Sequence, residues 1–230
     1  MTSSGRRLLL FDIDGTLLTS GGAGEFALCS AMKERFAIDE DLSGIVLAGA
    51  TDGAIAREML LRRAINDTPE NMTALLDGYL HALRESLPRH TGRLLPGILP
   101  LLEALRSRPD CVMGLLTGNL AKGAELKLRH YGVWDYFEFG AFADDHHDRN
   151  HLGPFARSRA AEIHGEEFPP ERIYVIGDTP RDIACGKAFG AQTVAIATGN
   201  YALEELLRHH PDHAFQDLSD TGAVIRALTA

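Results

Sequence analysis

Two aspartates two residues apart, Asp12 and Asp14, end the apolar run Leu8–Leu9–Leu10–Phe11 and are followed by Gly15 and Thr16. The run has the length of a strand buried on both faces of a parallel sheet. Side chains alternate along an extended chain, so positions 12 and 14 point the same way. Two carboxylates converging at one strand end repel each other unless a cation or a shared proton offsets the charge. That pair asks for a metal ion, and Gly15 supplies the freedom for the backbone to turn beside it.

Two more polar clusters follow apolar strands. Residues 111–116 (CVMGLL) lead into Thr117–Gly118–Asn119, and residues 173–176 (IYVI) lead into Gly177–Asp178, with Asp182 four positions on. In open α/β sheets, ligands bind at the carboxyl ends of the strands, at a topological switch point. Three such clusters imply one site built from three strand ends.

DIDGT at 12–16, Thr117 and GDTPRD at 177–182 resemble, in order, motifs of the haloacid dehalogenase superfamily, and the likeness extends from Leu8 to about residue 200. The resemblance implies a doubly wound parallel-sheet α/β core (Rossmann-like) and a Mg²⁺-dependent phosphatase acting on a small phosphorylated metabolite, such as phosphoglycolate, a sugar phosphate or a nucleotide. It implies Asp12 as nucleophile toward phosphorus, forming an aspartyl phosphate. Asp14 becomes the acid that protonates the leaving oxygen and the base that later activates water. An acid at position 14 suits an alcohol leaving group and disfavours dehalogenation, since a halide leaves without a proton. Mg²⁺ prefers hard oxygen ligands. Asp12 and Asp178 are the natural side-chain ligands, with the Asp14 carbonyl as the resemblance implies. Asp182 reaches the metal through water or braces its neighbours.

Thr117 either holds phosphate oxygens, together with the following N–H groups, or caps the next helix; one geometry serves both. Gly118 belongs to that turn, and Asn119 either bonds around the nucleophile or caps the helix. The superfamily's third motif is a lysine ahead of the helix that precedes GDxxxD, but this chain has no lysine between Lys127 and Lys187. Arg149, just before a helix expected from His151 to His164 with Asn150 as its cap, is the replacement we expect. Arg157 is the rival, although a mid-helix arginine normally faces water. A phosphomutase of the β-phosphoglucomutase type, and a non-catalytic binding protein on the same fold, are the alternatives. Four retained carboxylates argue against the second.

These groups are positioned by a divided chain. Residues 1–17 and 93–230 read as the catalytic core, and residues 18–92 as a helical cap inserted after the first strand. Helix-period apolar positions fall at Phe26, Cys29, Met32 and Phe36, then Ile55, Met59 and Leu60, then Leu75 through Leu87. Asn66–Asp67–Thr68–Pro69 separates the second helix from the third, and Pro88 stops the third. In the core, helices are expected over 97–106, 119–131 and 182–189, and short strands over 136–142, over 192–197 and near Ala214. The Lys127–His130 tail suits a helix C-terminus. Thr51–Asp52 reads as a helix cap, with reach to the substrate as the alternative, and Gly21–Gly24 as a hinge beside the site, with N–H groups toward an anion as the alternative. His146, His147 and His151 read as a solvated surface, since Mg²⁺ does not favour imidazole.

The formal charge of −9 over 230 residues, without a basic stripe, argues against nucleic acid as partner. The three cysteines lack metal-type spacing and read as buried free thiols. No run of 18 apolar residues and no signal peptide is visible, so the protein is expected to be cytoplasmic and free of membrane.

Overall fold

The computed structural model describes residues 5–229. The ends of the expected core, residues 1–4 and 230, lie outside them. Strand β1 (Arg7–Phe11) runs into the aspartate loop, and β2 (Leu18–Thr19) follows at once. Three helices come next: α1 (Ala23–Phe36), α2 (Asp52–Arg62) and α3 (Pro69–Ser86). After β3 (Arg93–Leu94), strands and helices alternate as α4 (Ile98–Arg106), β4 (Cys111–Leu116), α5 (Ala121–His130), β5 (Gly140–Ala141), α6 (Leu152–His164), β6 (Ile173–Gly177), α7 (Pro180–Ala188) and β7 (Gln192–Ile196). The chain closes with α8 (Leu203–Leu207), β8 (His213–Phe215) and α9 (Thr221–Thr229).

The main sheet has the order β5-β4-β1-β6-β7-β8, and every neighbouring pair is parallel. Strand β1 lies between β4 and β6, where successive crossovers part to opposite sides. This creates the crevice at its carboxyl end. Residues 8–11 are fully buried because alternate side chains enter different cores: Leu9 and Phe11 pack with Met113 and Ile176, Leu8 and Leu10 with Leu152 and Phe168. A continuous apolar run is what a strand covered on both faces requires.

A third apolar cluster joins α1, α2 and α3. Its buried face on α1 is Ala23, Ala27, Leu28, Ala31 and Met32, whereas Phe26 is half exposed and Phe36 only partly covered. Of the expected Phe26–Cys29–Met32–Phe36 stripe, Phe26 is therefore corrected, while Met32 lies inside the cluster and Cys29 and Phe36 pack against it. Small residues win the interior because α3 approaches closely: a Cβ at Gly78 would meet the Ala31 Cβ at 3.2 Å. Thr68 caps α3 through the Asn71 amide, with Pro69 in the first turn, and the helix ends before Pro88 as expected. Strands β2 and β3, unforeseen in the sequence, pair antiparallel where the helical segment leaves and rejoins the core.

Several other boundaries differ. Residues 134–136 form a 3₁₀ turn and only Gly140–Ala141 pairs as strand, not 136–142. Arg149 sits within a 3₁₀ turn, Arg149–His151, capped by Asp148 rather than Asn150, and α6 begins at Leu152. Among the described residues the cysteines are unpaired; Cys185 is buried, Cys29 and Cys111 only partly so. No helix among them is long and apolar enough to cross a membrane.

Candidate active site

Asp12 and Asp14 line one cavity of 310 Å³, together with Asn119, Lys127, Arg149 and Asp178. The sheet brings them together. The Asp12 amide donates to the Ile176 carbonyl at 2.9 Å, extending the β1–β6 ladder by one residue. The Leu17 amide then bonds back to Ile13 at 2.8 Å, so the chain reverses immediately after Asp14. Gly15 permits this reversal. Its φ is +82°, and any side chain there would collide with the Asp178 carboxylate.

Asp12 is buried, and its Oδ1 lies 2.9 Å from Arg149 Nη2. The same nitrogen also pairs with Asp182 Oδ1. Burial pushes the Asp12 carboxyl up to about 6; Arg149 opposes this, while Asp182 and Asp14 reinforce it. Asp178 accepts a hydrogen bond from Thr16 Oγ1 at 2.8 Å. Its carboxyl is pushed up to about 8, first by burial and then by the charges of Asp182 and Asp12. One guanidinium does not balance three buried carboxylates.

Oxygens of Asp12, Asp178 and Asp182 lie within 4.8 Å of one another, a hard donor set that fits a divalent cation such as Mg²⁺. Asp182 nevertheless has both oxygens engaged: Oδ1 by Arg149, and Oδ2 by the Thr179 amide at 3.0 Å and its hydroxyl. It closes a capping box at the start of α7 and braces Arg149. Asp182 is thus the most fully engaged of the three carboxylates.

Asp14 stands in different surroundings, its side chain 41% exposed. Oδ2 accepts from Asn119 Nδ2 at 2.8 Å and from Lys127 Nζ at 2.6 Å. Lys127 also donates to Asn119 Oδ1 at 2.7 Å. Burial alone would pull the Lys127 ammonium down, but Asp14, Tyr79 and Asp52 outweigh it and hold the group firmly charged. Lys127 does lie in the last turn of α5, as expected, but its side chain is buried and turned toward Asp14. The overlooked signal is its place beside Gly123, Ala124 and Leu128 on the buried face of α5. A lysine on an apolar helical stripe needs a partner.

Thr117 is buried, and its hydroxyl accepts from Asn119 Nδ2 at 2.9 Å. It also bonds toward Asp12, helping to hold that carboxylate ionised. Neither Thr117 nor Asn119 caps α5, whose cap position is Leu120. Gly118 is where the helical segment touches the core, since a Cβ there would strike the Ala50 carbonyl. The Asp52 amide donates to the Gly118 carbonyl at 2.7 Å, and Asp52 Oδ2 accepts from the Leu120 amide at 2.8 Å. Thr51 caps α2 as expected, while its hydroxyl also donates to the His147 carbonyl at 2.8 Å. Arg157 pairs loosely with Glu167, 3.7 Å away, and is not among the residues that line the cavity. His146 stacks on His147 and lies tilted against His151, and none of the three belongs to the metal-binding group found among the described residues.

A family model for haloacid dehalogenase-like hydrolases matches residues 9–187. The chain is 27% identical over 217 residues to a phosphoglycolate phosphatase of Aquifex aeolicus, covering 93% of this chain and 94% of that protein. It is 26% identical to an N-acetylmuramic acid 6-phosphate phosphatase of Pseudomonas putida, covering 84% and 83%. Among solved structures, a protein predicted to be a phosphoglycolate phosphatase from Haemophilus somnus superposes with a TM-score of 0.73 at 19% identity, covering 98% of this chain and all of that one. At that identity the likeness speaks for the fold alone.

Proposed function

Because the chain belongs to the haloacid dehalogenase-like hydrolases, we propose that it is a Mg²⁺-dependent phosphatase of small phosphomonoesters working through an aspartyl phosphate. One observation carries this reading. Two aspartates share the cavity at the end of β1, one buried against a guanidinium and the other part-exposed with its Oδ1 left open. Such divergent surroundings suit two different tasks. Asp12 attacks phosphorus while the ester oxygen takes a proton from Asp14 and departs as the alcohol. Asp14 then removes a proton from water, which attacks the aspartyl phosphate and returns Asp12 and inorganic phosphate. Lys127 and Asn119 hold Oδ2 so that Oδ1 exchanges the proton. Arg149 orients Asp12 and presents positive charge to the phosphoryl oxygens.

Asp12 and Asp178 would hold Mg²⁺, with Asp182 bracing Arg149. When bound, the ion neutralises charge on the nucleophile and the phosphate. Helices α1 to α3 act as the cap that shields the cavity from water.

Phosphate release from a panel of phosphomonoesters, with Mg²⁺ and without a bisphosphate activator, tests hydrolysis and separates it from mutase chemistry. Asp12→Asn should abolish release with the melting temperature retained, because the amide is nearly isosteric but cannot attack phosphorus. Near-normal release by that variant would remove the covalent route.

A further inference from the structure

The cavity's far side carries an unusual charge balance. Its lining cations are Arg149, taken by Asp12 and Asp182, and Lys127, taken by Asp14 and Asn119. Helices α1 and α2 contribute Glu25 and Asp52, both carboxylates, and α3 contributes the Tyr79 ring. No cation from the helical segment lines the cavity among the described residues. The organic part of a substrate, lying beyond Asp14 from Asp12, meets this acidic, hydrogen-bonding wall.

Asp52 is the rigid element of that wall. Its amide and its Oδ2 bond to Gly118 and Leu120 on either side of Asn119, and Thr51 is tied to the His147 carbonyl. Among the described residues only Oδ2 is hydrogen-bonded, so Oδ1 can accept from a substrate hydroxyl. A carboxylate next to the ester oxygen would face Asp52 and Glu25, and the one Lys127 ammonium, its charge already shared by Asp14 and Asp52, offsets only part of that repulsion. Like charges brought together in a partly desolvated site discriminate strongly.

We propose that this site selects phosphate esters of uncharged, hydroxyl-bearing alcohols such as sugars and polyols and rejects esters with an adjacent carboxylate, with Asp52 as the specificity-determining residue. This inference rests on the phosphatase reading above, and it sets the chain apart from the relatives named for phosphoglycolate.

The test is a matched pair, 2-hydroxyethyl phosphate and phosphoglycolate, which differ in a hydroxymethyl group against a carboxylate. The wild-type kcat/KM should favour the hydroxyethyl ester by at least ~10-fold. Asp52→Asn should narrow that ratio severalfold, through the KM of phosphoglycolate. Equal or better turnover of phosphoglycolate by the wild type overturns the inference, and a ratio unmoved by Asp52→Asn removes Asp52 from it. The Asp12→Asn protein, titrated calorimetrically with both esters and Mg²⁺, gives a second readout. Tighter binding of phosphoglycolate there also overturns the preference. Failure to hydrolyse either ester or p-nitrophenyl phosphate would instead sink the phosphatase reading, and the inference with it.

Discussion

Arg149 and Lys127 each pair with one of the two aspartates that follow β1, but the surroundings of the two pairs differ. Arg149, Asp12 and Asp182 are all less than a tenth exposed. Lys127 is equally buried, yet its partner Asp14 opens to the cavity with a 41% exposed side chain. A cation held between two buried carboxylates cannot be replaced by water when it is removed, and leaving one partner of such a group uncompensated is strongly unfavourable. A cation beside a part-exposed carboxylate can be partly replaced. The closed pair therefore suits a fixed nucleophile, and the open one a group that must exchange protons with substrate and water.

The open side is broken first by Asp14→Asn. Esters with poor leaving groups should lose ~10²–10⁴-fold in kcat/KM, while p-nitrophenyl phosphate, whose phenolate needs little protonation, loses far less. Equal losses on both would reassign Asp14 to a structural part.

On the closed side, Arg149→Ala should cost ~10²–10³-fold in kcat/KM, like the loss of a preorganised charge donor. Arg149→Lys should recover part of it, since charge returns without the planar guanidinium whose Nη2 meets Asp12 and Asp182 while Nη1 donates to the Gly49 carbonyl. Arg157→Ala should stay close to wild type. A crippled Arg157→Ala with a mild Arg149→Ala would move the phosphoryl-facing charge to α6.

Lys127→Ala sharpens the contrast. Water can reach Asp14, so the kinetic loss should be only ~10-fold, an order of magnitude below that of Arg149→Ala. Parity between the two variants, measured on one substrate, would erase the distinction drawn here.

The smallest effect concerns thermal stability. Asp178 carries a carboxyl pushed up to about 8, so between the ordinary carboxylate range and pH 8 the folded, metal-free chain binds more protons than the unfolded one. Its stability contribution is present at low pH and is lost as pH rises through 8. Mg²⁺ should therefore raise the melting temperature by a few degrees more at pH 8 than at pH 5, and Asp178→Asn should remove that pH-dependent gain. A Mg²⁺ shift larger at pH 5 would contradict the assignment of Asp178 as a ligand.

Arg149 and Lys127 also differ in how visible they were. Arg149 stood where a third-motif cation was needed, and the three-strand pattern supplied the frame, so its partnership with Asp12 was legible even though Asp148, not Asn150, caps its turn. Lys127 lies eight residues beyond Asn119, in a helix tail whose charges also suit the helix dipole. Only α5 packing beneath α3 turns it inward. Asp52 was only half legible for the same reason: an N-terminal aspartate satisfies its helix whether or not it faces a cavity, so capping outweighed reach to the substrate.

Apolar runs of strand length, each closed by a polar cluster, determined the parallel core, the strand ends that meet and the identity of Asp12, Asp14, Thr117 and Asp178. This information is local, since burial on both faces demands continuous hydrophobicity and turns demand glycine. The direction in which helical charges point, the different hydrogen-bond partners of Asp178 and Asp182, and the pairing of β2 with β3 were decided by tertiary structure. Each depends on which surface a neighbouring element covers, and that is set by packing between segments far apart in the chain.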